Sequence, residues 1–295
     1  MRILITGISG MLGVDLYQIL RDSYEIVGLD IKGFPSTPFS SPPLHKGDIT
    51  DLPELKAVFL KLNPDFVIHT AAYTDVDGCE KSPDRAHRVN ALGTRNIALI
   101  CQEKNIPLVY VSTDFVFDGK KNYPYTELDE PHPLNVYGRS KLAGENYVRS
   151  LLERYFIVRT SWLYGRHGKN FVETILKLAK EKEVLTVVGD QVGSPTYTKD
   201  LAQEMKKLVS GSSYGIYHIT NSGSCSWYNF AEEILKLAGI RGVKVKPITS
   251  KELNRPAPRP QFSVLRSSGS GPDAEGTMRP WKEALKEYLE ERKGL

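Results

Sequence analysis

Short apolar runs and amphipathic helical patterns alternate along the first half of the chain. The runs are apolar on both faces, which is typical of strands in a parallel sheet that helices cover on both sides. The predicted strands are residues 2–6, 25–29, 64–69, 108–111 and 156–159, and the main helical patterns between them are 12–20, 52–62, 84–104 and 137–147. This alternation predicts an α/β fold with a right-handed, doubly wound parallel sheet, the Rossmann arrangement.

The pattern loosens after residue 165. Helices are predicted near 170–181, 198–209, 226–238 and 280–292, and short strands near 184–188 and 215–219. We therefore predict a Rossmann domain over residues 1–165, with a returning segment near 189–210, and a smaller α/β lobe over 166–295 that mainly binds substrate. Residues 32–46 and 118–134, rich in proline or in proline and acids, are predicted loops, the second of them over the site.

Composition excludes several classes of function. The 295 residues carry a net charge of +4 without a basic block, so nucleic acid is not an expected partner. Three scattered cysteines and six scattered histidines predict neither a disulfide framework nor a metal site, and they fit a reducing compartment. An apolar run beginning at Ile3 leaves no room for a charged leader, and no later segment approaches a membrane span. We expect a cytoplasmic protein without a membrane partner.

A glycine turn comes directly after the first predicted strand. Gly7, Gly10 and Gly13 are spaced three residues apart, and Met11 and Leu12 lie between the last two. Such a turn bares backbone N–H groups at a helix N-terminus, where a pyrophosphate can bind. Because a glycine triplet also occurs in purely structural turns, the prediction of a nucleotide site needs support from the next strand.

Asp30 ends that second predicted strand and supports the nucleotide site. It lies at the distance from the glycine turn where an acid meets the adenosine ribose hydroxyls. Its carboxylate would repel a 2′-phosphate, which favours NADH over NADPH. Lys32 lies close by and weakens that preference.

Two further strand ends carry candidate ligand contacts. Ala71, Ala72 and Tyr73 follow the strand at 64–69, where small side chains let a flat ligand approach the backbone, or simply permit close packing. Trp162 follows the strand at 156–159 and is equally compatible with a core aromatic and with a stacking surface for a sugar or base.

Tyr137 and Lys141 form the central candidate for chemistry. Residues four apart lie one turn above each other on a helix face, so an ammonium can sit beside a phenol and lower its pKa. Because this pair also occurs by chance on solvated helices, Ser112-Thr113-Asp114 matters. A hydroxyl at this strand end can hydrogen-bond a carbonyl oxygen that gains charge during reduction. Asp114 is equally compatible with a helix or turn cap.

Together these motifs resemble the extended short-chain dehydrogenase/reductase superfamily and, within it, the dTDP-4-dehydrorhamnose reductase family. The resemblance covers nearly the whole chain. It is carried by residues 7–13, 71–72, 112–119, 133–138, 141–145 and 159–165.

The resemblance implies roles for particular residues. Tyr137 would donate a proton to the C4 oxygen of a 4-keto sugar while hydride arrives from the nicotinamide. Lys141 would lower the pKa of the tyrosine and hold the nicotinamide ribose, and Thr113 would bind the same sugar oxygen. The implied substrate contacts also include Asp114 and Trp162. The implied cofactor contacts are Gly10, Met11, Leu12, Gly13, Asp30, Asp48, Ile49, Ala71, Ala72 and Tyr73.

Two positions separate this chain from related patterns. Sugar-nucleotide 4,6-dehydratases of the superfamily place a glutamate after Ser-Thr-Asp, and here that position is Phe115, which removes the base for elimination. The reductases usually follow Ser263-Val264-Leu265 with aspartate, whereas this chain has Arg266 and a Ser/Gly-rich stretch to 277 that we expect to be flexible. The basic residues 255–260 suit either a diphosphate or a plain linker.

Alternative functions share these motifs. The regulatory subunit of methionine adenosyltransferase has the same fold and much of the signature without catalysis, although it lacks a tryptophan corresponding to Trp162. A reductase or epimerase of another nucleotide sugar differs only in pocket residues. The resemblance also implies a homodimer, and in some relatives a Mg²⁺ ion, whereas the sequence itself predicts no metal ligands.

Overall fold

The computed structural model describes residues 1–266 and 278–293, and seven of the thirteen strands in these residues lie at the predicted strand positions. The strands are β1 (Arg2–Thr6), β2 (Glu25–Asp30), β3 (Leu44–Lys46), β4 (Phe66–His69), β5 (Leu108–Thr113), β6 (Tyr155–Thr160), β7 (Leu163–Tyr164), β8 (Val184–Val188), β9 (Val192–Gly193), β10 (Thr196–Tyr197), β11 (Gly215–His218), β12 (Cys225–Ser226) and β13 (Lys244–Ile248).

The helices occupy the amphipathic segments. They are α1 (Met11–Leu20), α2 (Leu52–Leu62), α3 (Val76–Lys81), α4 (Pro83–Ala86), α5 (Thr94–Lys104), α6 (Val136–Leu151), α7 (Phe171–Leu178), α8 (Thr198–Val209), α9 (Trp227–Ala238), α10 (Ser250–Leu253) and α11 (Trp281–Lys293). A π-helical segment, His87–Gly93, joins α4 to α5, and a 3₁₀ turn, Asp114–Val116, follows β5. No described helix has the length and apolar character needed to cross a membrane.

A seven-stranded sheet forms the centre of the described fold. Its order is β11-β6-β5-β4-β1-β2-β3, and every neighbouring pair is parallel. The chain reverses direction across the sheet between β1 and β4, which is where open α/β sheets bind ligands at the carboxyl ends of their strands. The predicted doubly wound fold is confirmed.

The alternation of side chains along β1 explains why both faces are covered. Ile3 and Ile5 belong to a buried cluster with residues of α1 and α8, whereas Leu4 points to the other face and joins a cluster with α2 and α5. All three residues are fully buried. Burying each such side chain contributes about 1.5 to 3 kcal/mol, so the central strand stabilises both layers.

The second half of the chain is divided between this sheet and a separate core. β11 extends the sheet beside β6, and α8 packs on α1. The other core surrounds the parallel pair β8 and β13 and includes Tyr164, Phe230 and Tyr288. β11 and α8 therefore return to the Rossmann half, whereas β9 and β10 pair with β12 and β7 outside the seven-stranded sheet. The division into domains stays a prediction.

The prediction of a continuous loop over 32–46 was wrong at its end. β3 pairs with β2 through the Gly28–Leu44, Leu29–His45 and Asp30–Lys46 positions. Three residues are too short to show a period-two pattern, so only the partner strand reveals them.

No regular helix or strand lies within 118–134, as predicted. The Ser/Gly-rich stretch that was expected to be flexible lies outside the described residues from position 267 to 277.

A buried carboxyl connects α1 to α8. Asp15 is 5% exposed and accepts a hydrogen bond from the hydroxyl of Thr198, the first residue of α8. Burial raises the pKa of Asp15 to about 6, and the Thr198 hydrogen bond opposes part of that rise. The folded state therefore favours the protonated carboxyl, and ionisation between about pH 4 and 6 destabilises it.

We expect Asp15→Asn to stabilise the protein at alkaline pH, because the amide keeps the acceptor for Thr198 without a buried charge. The gain in free energy of unfolding should be on the order of 3 kcal/mol at pH 8 and should vanish near pH 4. Urea unfolding of both proteins across this range measures it. Asp22→Asn, at an exposed position just beyond α1, is the control. A gain that does not depend on pH would contradict the interpretation.

Candidate active site

The glycine turn has the geometry that its sequence predicts. Gly7 has a φ of +72°, and a Cβ there would lie 2.6 Å from the backbone nitrogen of Ala71. A Cβ on Gly13 would lie 2.4 Å from the carbonyl oxygen of Gly7. Gly10 caps α1 without a side-chain hydrogen bond, so the first-turn N–H groups of the helix can bind an anion.

Asp30 is held against the glycine turn. Its Oδ2 accepts from the backbone N–H of Ser9 at 3.0 Å, and its Oδ1 accepts from that of Lys32 at 2.9 Å. These two bonds orient the carboxylate at the carboxyl end of β2. Asp48 and Ile49 follow the neighbouring strand β3, so these predicted cofactor residues share one edge of the sheet.

The segment after β4 connects the glycine turn to α6 through Asn90. The side-chain oxygen of Asn90 accepts from the backbone N–H of Tyr73 at 2.7 Å. Its Nδ2 donates to the carbonyl oxygen of Tyr73 and to the hydroxyl of Ser140, each at 3.0 Å. This fully buried amide fixes the Ala71–Tyr73 backbone beside the helix that carries Tyr137. The sequence does not reveal the role of Asn90, because a polar residue within a helical pattern is usually expected to be exposed.

Close backbone packing brings Tyr137 to Thr113. Asn135 caps α6 by accepting from the N–H of Gly138 at 2.8 Å, and a Cβ on Gly138 would lie 2.1 Å from the carbonyl oxygen of Phe115. The start of α6 therefore sits directly on the turn after β5. The Tyr137 ring meets Phe115 edge-on at 5.9 Å, and its hydroxyl interacts with that of Thr113.

Burial dominates the acid–base properties of this pair. It raises the pKa of Tyr137 above its ordinary value, and the interaction with Thr113 opposes only part of that rise. The Nζ of Lys141 donates to the carbonyl oxygen of Val111 at 2.7 Å and lies 4.2 Å from the ring centroid of Tyr110. Burial lowers the pKa of Lys141 to about 7. A lower pKa of Tyr137 caused by Lys141 stays a prediction.

Asp114 is a buried acid at the same strand end. Its Oδ1 accepts from the hydroxyl of Thr113 at 3.0 Å, and its Oδ2 has no hydrogen bond of good geometry within the described residues. Burial raises the pKa of Asp114 to about 7, while the nearby Ser263 hydroxyl lowers it. Ser263 belongs to the segment after β13, so the second half of the chain reaches this acid.

Trp162 adopts an unusual backbone conformation. Its φ is +49°, in the left-handed region that costs a bulky residue roughly 1 to 2 kcal/mol. Its indole stacks on that of Trp227, with centroids 3.5 Å apart and planes 8° apart. On Gly193 a Cβ would lie 2.5 Å from Trp162 Cε2. The side chain is therefore held between two elements, and part of it stays exposed.

The sequence contains no local signal for this aromatic pair. Trp227 begins α9, 65 positions after Trp162, and Gly193 lies in β9. An aromatic at a helix start is common, so only the packing of β9 and α9 identifies it as the partner of Trp162.

The basic stretch 255–260 is folded against the sheet domain. Asp77 accepts from Arg259 Nη1 at 3.0 Å, from Arg255 Nη1 at 3.3 Å and from the N–H of Ala257 at 3.2 Å. The carbonyl oxygen of Pro258 accepts from the Asn135 side chain at 2.8 Å. The stretch is therefore a strap across α3 and the start of α6 and does not behave as a plain linker.

The described residues form no three-ligand metal cluster. Residues 1–266 and 278–293 contain no cluster of three or more His, Cys, Asp or Glu side chains that could hold a metal ion. Acids of α8 and α11 are paired with cations, as in the pairs of Arg279 with Asp200 and of Lys199 with Glu287 and Glu291. We derive no chemistry through a metal.

The fold and the site define a class of protein. A parallel Rossmann sheet with a glycine turn, and with Thr113, Tyr137 and Lys141 at its carboxyl edge, defines an extended short-chain dehydrogenase/reductase. The family model described as the RmlD substrate binding domain matches residues 1–293. The chain therefore belongs to this family, that of the dTDP-4-dehydrorhamnose reductases.

Individual relatives cover nearly the whole chain. The spore coat polysaccharide biosynthesis protein SpsK of Bacillus subtilis is 42% identical, over 99% of this chain and 98% of the relative. A dTDP-4-dehydrorhamnose reductase of Clostridium acetobutylicum is 42% identical, with a TM-score of 0.91 and coverage of 99% and 100%. The enzyme of Bacillus anthracis in complex with NADP is 41% identical, with a TM-score of 0.90 and coverage of 98% and 99%.

We expect Trp227→Leu to remove the exciton couplet that two stacked indoles produce in the far-ultraviolet circular dichroism spectrum. The free energy of unfolding should fall by about 1 kcal/mol or more, from the lost ring contact and lost apolar area. Trp281→Phe is the matched control, because Trp281 meets Phe230 edge-on and stacks on neither other tryptophan. A couplet that survives in Trp227→Leu would contradict the assignment.

Proposed function

We propose that this chain reduces the C4 keto group of dTDP-4-dehydro-β-L-rhamnose to give dTDP-L-rhamnose, with NADH or NADPH as reductant and Tyr137 as proton donor. Membership in the reductase family supports the reaction. The observation that carries the proposal is the packing of the start of α6 on the turn after β5, which brings Tyr137 against Phe115 and next to Thr113 at the carboxyl edge of the sheet. Phe115 stands where elimination would need a base.

The cofactor residues lie along the same edge of the sheet. The N–H groups at the start of α1 would bind the pyrophosphate, and Asp30 would accept from the adenosine ribose hydroxyls. Asp48, Ile49 and the Ala71–Tyr73 backbone would line the remainder. We assign residues 1–165 with the returning segments to this cofactor domain, and most of 166–295 to the substrate lobe.

The Tyr137 phenol carries its proton before reduction, although a pKa raised by burial makes it by itself a weaker acid. Burial keeps the phenol protonated at neutral pH, so the proton is in place before reduction begins. The nicotinamide, when bound, supplies the hydride. As negative charge develops on the C4 oxygen, Thr113 donates a hydrogen bond to it and Tyr137 transfers its proton. The Lys141 ammonium would then stabilise the tyrosinate.

The proposed substrate contacts beyond this pair are Asp114 and Trp162. Asp114, whose Oδ2 has no hydrogen bond of good geometry among the described residues, would hydrogen-bond a sugar hydroxyl. The partly exposed indole of Trp162 would stack on the sugar ring. Because these groups come from the segments that follow β5 and β6, the sugar would lie across the end of the sheet. The cytoplasmic location and the homodimer stay predictions.

We expect Tyr137→Phe to lower kcat by about 10² to 10⁴, because the ring and its contact with Phe115 remain while the proton is lost. The measurement is oxidation of NADH or NADPH with dTDP-4-dehydrorhamnose made in place. Tyr147→Phe, on the same helix with its ring against Arg95, is the control. Equal rates for wild type and Tyr137→Phe would exclude this proton donor.

The same assay distinguishes the proposed reaction from two other functions. Turnover only with UDP- or GDP-linked 4-keto sugars would indicate another nucleotide sugar. No turnover of any keto sugar, together with cofactor binding and copurification of a large partner, would indicate the non-catalytic regulatory subunit. The Trp162 indole favours the enzyme, since that subunit lacks the corresponding residue.

We propose a preference for NADH, supported by the fixed Asp30 carboxylate. Asp30→Ser should raise kcat/KM for NADPH relative to NADH by about tenfold or more, because a repulsion worth about 1 to 4 kcal/mol disappears. Lys32→Ala should act in the opposite direction. The ratio of kcat/KM with each cofactor measures both changes. A wild type that already prefers NADPH strongly would show that Lys32 outweighs Asp30.

A further inference from the structure

A buried ion pair joins α6 to β6 behind the candidate catalytic residues. Glu145 is 0% exposed and Arg159 is 1% exposed. Arg159 Nε donates to Glu145 Oε1 at 3.0 Å, and Nη2 donates to Oε2 at 2.7 Å. The Phe117 ring lies 5.2 Å from the guanidinium carbon. This bidentate geometry fixes both side chains.

The same carboxylate reaches β5 and Lys141. The hydroxyl of Ser112 donates to Glu145 Oε1 at 2.5 Å. Ser112 lies between Thr113 and Val111, whose carbonyl oxygen accepts from Lys141 Nζ. Lys141 and Glu145 are one turn apart on α6, and their opposite charges attract. The Glu145 carboxylate therefore interacts with two buried cations and with the strand that carries Thr113.

The buried histidines and the tyrosine around Lys141 and Glu145 do not supply a negative charge for Lys141. Burial lowers the pKa of His69 on β4 to about 3 and also lowers that of His218 on β11, so both are neutral at pH 7. Burial raises the pKa of Tyr110 on β5. Cys79, Glu80 and Arg95 face the two ends of α6. Glu127 lies beyond His218.

Stability alone does not account for the buried pair. Each buried ion loses several kcal/mol of hydration, and apolar residues of similar volume often stabilise a protein equally well or better. The position of Glu145 gives a different reason. It lies where a negative charge acts on Lys141 and where Ser112 and Arg159 prevent it from moving.

We propose that Glu145 is a positioning residue for the reductase reaction, and that its carboxylate, fixed by Arg159 and Ser112, holds Lys141 in its protonated and aligned state. The proposal rests on the proposed function for the role of Lys141. Its physical basis is independent of any substrate, because the three charges and the Ser112 bond belong to the folded chain itself.

The pKa values agree with this geometry. Burial lowers the pKa of Lys141 to about 7, and Glu145 is the opposing influence that raises it. Without the carboxylate, the midpoint of the Lys141 titration should fall by about one pH unit or more. Lys141 would then be mostly neutral at pH 7, and the alkaline limb of the kcat profile would move to lower pH by the same amount.

Three variants test the proposal. Glu145→Gln removes the charge and keeps the shape. Glu145→Gln with Arg159→Met also removes the charge, and it leaves no unpaired buried guanidinium if the single variant fails to fold. Arg159→Lys keeps the positive charge and loses the bidentate bond. The readout is the ¹³Cε chemical shift of Lys141 against pH in [¹³Cε]lysine-labelled protein, assigned with Lys141→Arg, beside the pH profile of kcat.

We expect a lower Lys141 midpoint in Glu145→Gln, a smaller fall in the double variant, because loss of the Arg159 charge favours protonated Lys141, and a nearly unchanged midpoint in Arg159→Lys. Surface lysines such as Lys56, which pairs with Glu103, are internal references. An unchanged Lys141 midpoint in folded protein without the Glu145 charge would overturn the proposal. If the wild type reduces no keto sugar, the proposed function fails by itself, while the Lys141 titration still decides whether Glu145 controls the lysine.

Discussion

Removal of charged side chains from water at the carboxyl edge of the sheet is the constraint on which the site depends. Asp114, Lys141, Glu145 and Arg159 are each no more than 3% exposed. Desolvation disfavours every one of these charges, so each needs a partner or a proton. Arg159 and Glu145 form an ion pair. Lys141 donates a hydrogen bond to Val111 and is attracted by the charge of Glu145. Burial favours the protonated form of Asp114.

Helix α6 arranges these buried groups around the candidate site. Its first turn sits on the residues after β5 through the contact of Gly138 with Phe115, which places Tyr137 beside Thr113. Its second and third turns carry Lys141 and Glu145 into the dry layer behind the site. One rigid helix thus holds Tyr137, the proposed proton donor, in its first turn and Lys141 and Glu145 in the buried layer behind it, in fixed relative positions.

Much of the site could be predicted from the sequence, because its parts are encoded locally. Tyr137 and Lys141 share a helix, Thr113 ends a strand, and Asp30 ends the strand after the glycine turn, so spacing alone indicates their relation. The edge strand β3 was hidden in a proline-rich segment. Its three residues have no pattern of their own and become a strand only through hydrogen bonds to β2.

The sequence by itself determined the doubly wound sheet and the glycine turn and indicated candidate reacting side chains, since these depend on short-range periodicity, spacing and motifs. The tertiary structure decided which distant residues meet. It brought Trp227 and Gly193 to Trp162, Asp77 to the strap at 255–260, and Arg159 to Glu145. It also decided the direction of the pKa changes, because burial depends on how every layer packs and no local motif specifies it.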